Sequence, residues 1–92
     1  MALTFVMVAD VPPGAETAFQ RYEALVLPLL ARHGGRLERR LRTDDALCEV
    51  HIVAFASREG YTSYLADEER QSHRALLDGA DVVQRLLQVT DV

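Results

Sequence analysis

The sequence predicts a ferredoxin-like α+β domain whose elements follow the order strand, helix, strand, strand, helix, strand. Residues 2–11 and 48–57 have the apolar character of strands, and residues 15–33 carry a helical repeat of apolar side chains. With right-handed crossovers, this order gives a four-stranded antiparallel sheet with both helices on one face. The 92 residues, 49% of them apolar and 26% charged, suit one domain spanning residues 1–92.

Residues 2–11 form the first predicted strand. Odd and even positions are both apolar, which is typical of a central strand covered on both faces. Pro12 and Pro13 cannot continue a ladder of backbone hydrogen bonds, so the strand is expected to end before them.

Residues 15–33 form the first predicted helix. Its apolar face is expected to consist of Ala18, Phe19, Tyr22, Leu25, Val26, Leu29 and Leu30. Glu23 is expected on the opposite side of the helix. Pro28 lacks the amide that would bond to an earlier carbonyl, so a kink or a break is predicted there. Gly34 suits the left-handed conformation that ends a helix.

Residues 36–44 form the second predicted strand, with charged side chains on both of its faces. Such a strand belongs at the edge of a sheet, where charge discourages unwanted pairing. Asp44 and Asp45 favour a tight turn, so this strand is expected to form a β-hairpin with residues 48–57.

The C-terminal half is predicted to contain a second helical region and a last strand. Ser57 suits the capping position at the start of a helix, and Asp67 suits the cap of a further segment. Gly79 suits the end of that segment, and residues 82–92 are expected to form the last strand.

A homodimer is predicted from the same pattern. With both helices on one face, the other face of the sheet is uncovered. The first and third strands are apolar on both sides, so this face would be poorly suited to water. A second copy of the chain is the expected cover.

Charge and composition argue against several partners. The formal net charge of −4 gives no general attraction to nucleic acid or anionic lipid. The longest apolar run, residues 24–31, is far below the roughly 20 residues of a membrane-spanning helix. The N-terminus has no basic segment, and Cys48 is a single cysteine that cannot form an internal disulfide. The expectation is a cytoplasmic protein that binds neither nucleic acid nor membrane.

Several short motifs resemble the dimeric α/β-barrel superfamily, which includes antibiotic-biosynthesis-monooxygenase-like proteins. The "HGGR" turn after the first helix and the segment "EVHIVAFASREGYTSYLADEERQ" are similar to a branch of small bacterial proteins of unknown activity. The match covers nearly the whole chain, and the residues that carry it are Gly34, Gly35, Arg36, Phe55, Ser57, Tyr64, Arg70 and Gln71.

The resemblance implies two sheets that close into a barrel across a dimer, and a pocket for a small, fairly apolar molecule. The superfamily includes cofactor-independent monooxygenases of aromatic polyketides, haem-degrading enzymes, dye-type peroxidases and muconolactone isomerases. Its haem-degrading members need a catalytic Asn or Trp, and this chain contains neither. No cofactor is therefore predicted.

Glu49 and His51 are the candidate catalytic residues. They lie two positions apart on one predicted strand, so they should project from the same face, about 7 Å apart. A carboxylate that orients an imidazole is a common basis of general acid and base catalysis. The alternative is the polar start of an ordinary strand whose inner half is Val53 and Phe55.

Tyr22, Phe55 and Tyr64 are the candidate ligand-binding residues, because a pocket between helix and sheet would be lined by such positions. The same three side chains would also suit a filled core. No metal site is predicted, since the spacing of histidine, cysteine and acidic residues matches no metal-binding motif. His33, in the last turn of its helix, is expected to interact with the helix dipole.

We therefore predict a homodimer that binds a small apolar organic molecule and acts as a cofactor-independent oxygenase or an isomerase. The alternative is a non-catalytic dimer with a ligand-binding or stress-linked structural role. A cavity with His51 or Glu49 at its wall would favour the enzyme, and a solidly filled interior would favour the alternative.

Overall fold

The computed structural model describes residues 2–92, which form four strands, three α-helices and two 3-10 helices. The strands are β1 (Leu3–Asp10), β2 (Gly35–Arg42), β3 (Cys48–Phe55) and β4 (Val83–Val89). The α-helices are α1 (Glu16–Val26), α2 (Arg58–Leu65) and α3 (Glu68–His73), and the 3-10 helices span Leu27–His33 and Arg74–Leu77. None of the helices in residues 2–92 has the length and hydropathy to cross a membrane.

The four strands form one antiparallel sheet in the order β2-β3-β1-β4. The apolar strands β1 and β3 lie at the centre, and the charged strand β2 lies at an edge, as predicted. β2 and β3 form the predicted hairpin. This sheet with its helices is the ferredoxin-like α+β arrangement, so the predicted fold class is confirmed.

The first helical region breaks at the predicted proline. α1 ends at Val26, and Pro28 lies in the first turn of the following 3-10 helix, where its missing amide costs little. Gly34 ends this region with φ of 68°, the left-handed conformation expected of it. A Cβ added to Gly35 would lie 2.7 Å from the ring of Phe55. β2 therefore begins with a glycine where the Phe55 ring lies against its backbone.

The second helical region is divided at the two predicted caps. The Ser57 hydroxyl accepts a hydrogen bond from the Gly60 amide at 3.1 Å, and the Asp67 carboxylate accepts one from the Arg70 amide at 3.1 Å. The backbone of Gly60 lies so close to the carbonyl of His33 that a Cβ would clash with it. α2 therefore docks directly on the end of the first helical region.

All of the packed helices lie against one face of the sheet. Two clusters of buried side chains join sheet to helices, one made of Ala9, Val11, Ala15 and Phe19 and the other of Phe5, Leu30 and Phe55. Leu25 is 40% exposed, so its predicted place on the buried face of α1 was wrong.

The opposite face of the sheet, called the outer face below, carries no packed helix within residues 2–92. Its central side chains are apolar and belong to β1, β3 and β4: Val6, Val8, Val50, Ile52 and Leu87. Leu87 is 48% exposed. The face that the sequence predicts to be uncovered is thus open in the single chain.

β2 contains a β-bulge that changes which of its side chains face the helices. Leu37 and Arg39 pair with successive residues of β3, which leaves Glu38 as an extra residue between them. Because strand side chains alternate, one extra residue reverses the direction of those that follow. Arg40 and Arg42 consequently project toward the helix side of the sheet.

Candidate functional site

A cavity of about 150 Å³ lies between the helices and the sheet. Its apolar wall includes Phe5, Met7, Leu30, Val53 and Phe55. Its polar wall includes Tyr22, Glu23, His51, Tyr61, Tyr64 and Arg70. A cavity of about 150 Å³ is large enough for a single aromatic ring.

His51 and Glu49 both project to the helix side of the sheet, which confirms the predicted shared face. They are 2% and 1% exposed, and His51 Nε2 lies 2.8 Å from Glu49 Oε1. The His51 side chain forms part of the cavity wall, and Glu49 lies behind it. The pair is therefore buried at a cavity rather than exposed at the start of a strand, while its catalytic role stays a prediction.

Two arginines of β2 hold Glu49 from the other side. Arg40 Nε donates to Glu49 Oε1 at 2.8 Å, and Arg42 Nε donates to Oε2 at 2.8 Å. Burial alone would raise the pKa of Glu49, but hydrogen bonds from Arg40, His51 and Arg42 outweigh it and lower the pKa to about 2. Glu49 is consequently ionised at neutral pH.

The hydrogen bond between the two side chains assigns the tautomer of His51. Burial lowers the pKa of His51, and the opposing effect of Glu49 does not restore it, so the imidazole is neutral at pH 7. An ionised carboxylate can only accept, so His51 Nε2 carries the proton and Nδ1 carries the lone pair. His51 Nδ1 lies 3.9 Å from Glu23 Oε2.

Glu23 is the site residue that sequence reasoning missed, since its predicted position on the solvent side of α1 was wrong. It is 4% exposed and forms part of the cavity wall. Burial raises its pKa to about 7 against the opposing charge of Arg40. Its contact with Gln84 Nε2, at 3.5 Å, is too long for a strong hydrogen bond. Near neutral pH, Glu23 is therefore present in both its acid and its carboxylate form.

The three predicted ligand-binding residues all line this cavity. Tyr22 and Phe55 are buried and Tyr64 is partly buried, with the rings of Phe55 and Tyr64 5.5 Å apart. Tyr61 also lines the cavity, and its ring stacks on that of Phe5 with the centroids 4.4 Å apart. Burial raises the pKa of Tyr22 and of Tyr64, so both hydroxyls stay protonated. Contact with a ligand stays a prediction.

Arg70 of α3 is a second wall residue that the sequence did not mark as a site. Its guanidinium carbon lies 4.7 Å from the centroid of the Tyr64 ring. Its Nε is buried and has no hydrogen-bond partner among residues 2–92. Arg70 thus borders the cavity and has one buried donor without an acceptor in the described part of the chain.

His33 lies in the last turn of the 3-10 helix, as predicted. Its Nδ1 is hydrogen-bonded to the Ser63 hydroxyl, and its Nε2 lies 2.7 Å from Asp67 Oδ2. It therefore joins the first helical region to the second, and its interaction with the helix dipole stays a prediction. Across residues 2–92, no group of three or more histidine, cysteine, aspartate or glutamate side chains is arranged to hold a metal ion.

Several solved structures are similar to this chain over almost its whole length. A protein from Nitrosomonas europaea assigned as an antibiotic biosynthesis monooxygenase has a TM-score of 0.81 at 14% identity, covering 99% of this chain and 90% of that one. SnoaB, a cofactor-independent oxygenase from Streptomyces nogalater, has a TM-score of 0.73 at 23% identity, covering 99% and 95%. A NIPSNAP family protein of unknown function from Agrobacterium tumefaciens has a TM-score of 0.68 at 16% identity, covering 96% and 88%.

This chain shares the fold of these solved structures. The resemblance predicted from the "HGGR" turn and the β3 to α3 segment is confirmed at the level of the fold. Neither a protein-family model nor a curated protein matches the sequence. Because the identities to these structures lie below 25%, the reaction has to be inferred from the site.

Proposed function

We propose that this protein is a cofactor-independent enzyme that removes a proton from a small, largely apolar organic molecule bound in the cavity. The observation that supports this most directly is the neutral His51 in the cavity wall, whose Nε2–H is held by an ionised Glu49. An imidazole that is fixed by a carboxylate and keeps a lone pair on its other nitrogen is suited to act as a general base.

In the first step, His51 Nδ1 accepts a proton from the carbon next to a carbonyl group, and the substrate becomes an enolate. Glu49 stabilises the imidazolium that forms. In an isomerase of a β,γ-unsaturated ketone, the enolate is a conjugated dienolate, and protonated Glu23 then donates its proton to the γ-carbon. The proton held by His51 returns to Glu23 across the 3.9 Å that separate Nδ1 from Oε2, so that atoms and charge balance.

The similarity to SnoaB supports a second outcome of the same first step. In an oxygenase, the carbanion formed by His51 at a CH₂ group reacts with O₂ to give a hydroperoxide, which loses water and leaves a ketone. One oxygen atom enters the product and the other leaves in water, so the carbon is oxidised and O₂ is reduced. Both outcomes begin with proton removal by His51.

Exchange of carbon-bound hydrogen for deuterium tests this shared step without knowledge of the natural substrate. The protein is incubated in D₂O with 1-indanone, a ketone of suitable size, and exchange at the carbon next to the carbonyl is followed by proton NMR. We expect exchange faster than in buffer, and a loss of 10²-fold or more in His51→Gln, as is typical when a general base is removed.

His73→Gln is the matched control, because His73 is a partly exposed imidazole of α3 outside the cavity wall. This variant should exchange deuterium as fast as the wild type. Binding of the ketone without exchange would instead support the non-catalytic ligand-binding alternative. Equal loss of exchange in both variants would contradict the role of His51.

A second copy of the chain is the proposed cover of the outer face. Five adjacent apolar side chains on an open sheet face form the kind of surface that marks a protein interface, and a small domain gains stability from such burial. Light scattering should report a dimer at micromolar concentration. Val50→Lys should give a monomer, while Leu25→Lys, on the exposed side of α1, should leave the dimer intact.

A further inference from the structure

We infer that Arg70 binds the carboxylate of a ligand in the cavity, so that the ligands of this protein are single-ring aromatic carboxylates. The inference rests on the proposed function only in taking the cavity as the ligand site, and it requires no turnover. Three features of the described residues support it: an unsatisfied donor of Arg70, the positive charge of Arg70 and the aromatic side chains of the cavity wall.

The first feature is the hydrogen-bonding state of the Arg70 guanidinium. Its Nε–H is buried without an acceptor in residues 2–92, whereas Arg40 and Arg42 each donate to a carboxylate. Buried donors are almost always paired, because a buried donor without a partner loses its hydrogen bond to water. Because this Nε has almost no accessible surface, a carboxylate in the cavity would meet the terminal Nη groups of Arg70, whose two N–H donors form a fork that matches its two oxygens.

The second feature is the charge of the cavity wall. Glu23 is the acidic residue in that wall within residues 2–92, and at pH 6 it is mostly protonated. Arg85 also borders the cavity, but it is exposed and pairs in register with Val8 of the outer face. Arg70 is therefore the cation that faces a bound molecule, and a cation without a counter-ion attracts an anion.

The third feature is the arrangement of aromatic side chains. Arg70 lies over the ring of Tyr64, which limits the freedom of its guanidinium, and its charge also acts on the hydroxyl of Tyr22. Away from this polar end, Phe5, Phe55 and Tyr61 form a cluster of rings with centroids 4.4 to 6.2 Å apart. A ligand with an aromatic ring at one end and a carboxylate at the other matches this distribution.

The test compares benzoate with benzamide, a neutral molecule of nearly the same shape. Their dissociation constants are measured at pH 6 by NMR titration. We expect benzoate to bind the wild type at least tenfold more tightly than benzamide. Arg70→Gln should lose this preference and bind benzamide unchanged, which also verifies that the cavity is intact.

Arg21→Gln is the charge-matched control, because Arg21 is exposed on α1. It should keep the full preference for benzoate. Arg70→Lys keeps the charge without the fork, and it should keep only part of the preference. This variant also tests the inference if Arg70→Gln fails to fold.

Equal binding of benzoate and benzamide by the wild type would overturn the assignment of Arg70 and leave the cavity as a ligand site. A preference that survives in Arg70→Gln, or that disappears equally in Arg21→Gln, would also overturn it. Binding of neither compound would overturn the proposed function together with this inference. Absence of deuterium exchange in the wild type, with the benzoate preference intact, would contradict only the proposed reaction.

Discussion

Replacement of Glu23 by glutamine should stabilise the protein at alkaline pH and have little effect at acidic pH. Glu23 is buried in the cavity wall, and burial raises its pKa from 4.5 to about 7. Glutamine has nearly the same shape but cannot ionise. The substitution therefore removes the cost of a buried negative charge and changes little else.

The size and sign of the effect follow from the two pKa values. Between pH 4.5 and 7, the folded chain holds a proton on Glu23 that the unfolded chain has released. The free energy of unfolding of the wild type therefore falls as pH rises through this range and stays lower above it. A pKa raised from 4.5 to about 7 corresponds to about 3 kcal/mol. For a domain of this size, that is roughly 15 °C in Tm.

The assay is urea denaturation followed by circular dichroism at pH 5 and at pH 8.5, with equal protein concentrations because a dimer would be concentration-dependent. Glu23→Gln should exceed the wild type by less than about 1 kcal/mol at pH 5 and by about 3 kcal/mol at pH 8.5. Glu59→Gln, at an exposed position of α2, should match the wild type at both pH values. A difference between Glu23→Gln and the wild type that is the same at both pH values would refute the reasoning.

Two further substitutions test the neighbourhood of the site. Glu49→Gln should destabilise the protein by roughly 3 kcal/mol at pH 7, because Arg40 and Arg42 lose a buried partner. The lowered pKa of Glu49 means that this difference, measured by urea denaturation, should shrink as pH falls from 4.5 toward 2, and a constant difference would argue against an ionised Glu49. Gly60→Ala should cost about 1 to 3 kcal/mol despite the better helix propensity of alanine, because its Cβ would meet the carbonyl of His33. A stabilised Gly60→Ala variant in thermal denaturation would contradict this packing.

The alternation of side chains along a strand was enough to predict that Glu49 and His51 lie together. Alternation in β3 places Glu49 and His51 on one face without any knowledge of the other strands, and the structure has them there. The same alternation places Cys48 on the other face. This part of the site depends on local geometry alone, which is why a single sequence reveals it.

Glu23 was placed on the solvent side of α1 because it is charged, although its spacing in the sequence indicates the buried side. Phe19, Tyr22, Glu23 and Val26 follow the helical series i, i+3, i+4 and i+7, and all four are buried. The spacing alone would have placed Glu23 on the inner stripe of α1. A carboxylate at such a position is informative, since buried acidic residues are rare unless they are paired or functional.

The role of Arg40 and Arg42 could not be read from their own strand, because it depends on the bulge at Glu38. Regular alternation from Leu37, whose side chain faces the helices, would direct both arginines to the outer face, and the extra residue directs them to Glu49.

The bulge explains how two buried carboxylates of one site hold different protonation states. Glu49 receives hydrogen bonds from both arginines and stays ionised, while Glu23 meets no such donor and has a pKa of about 7. Titratable neighbours whose pKa values are pushed apart in this way are typical of acid and base partners in enzymes. The burial of Glu23 destabilises the fold, and the proposed role of an acid opposite His51 would account for it.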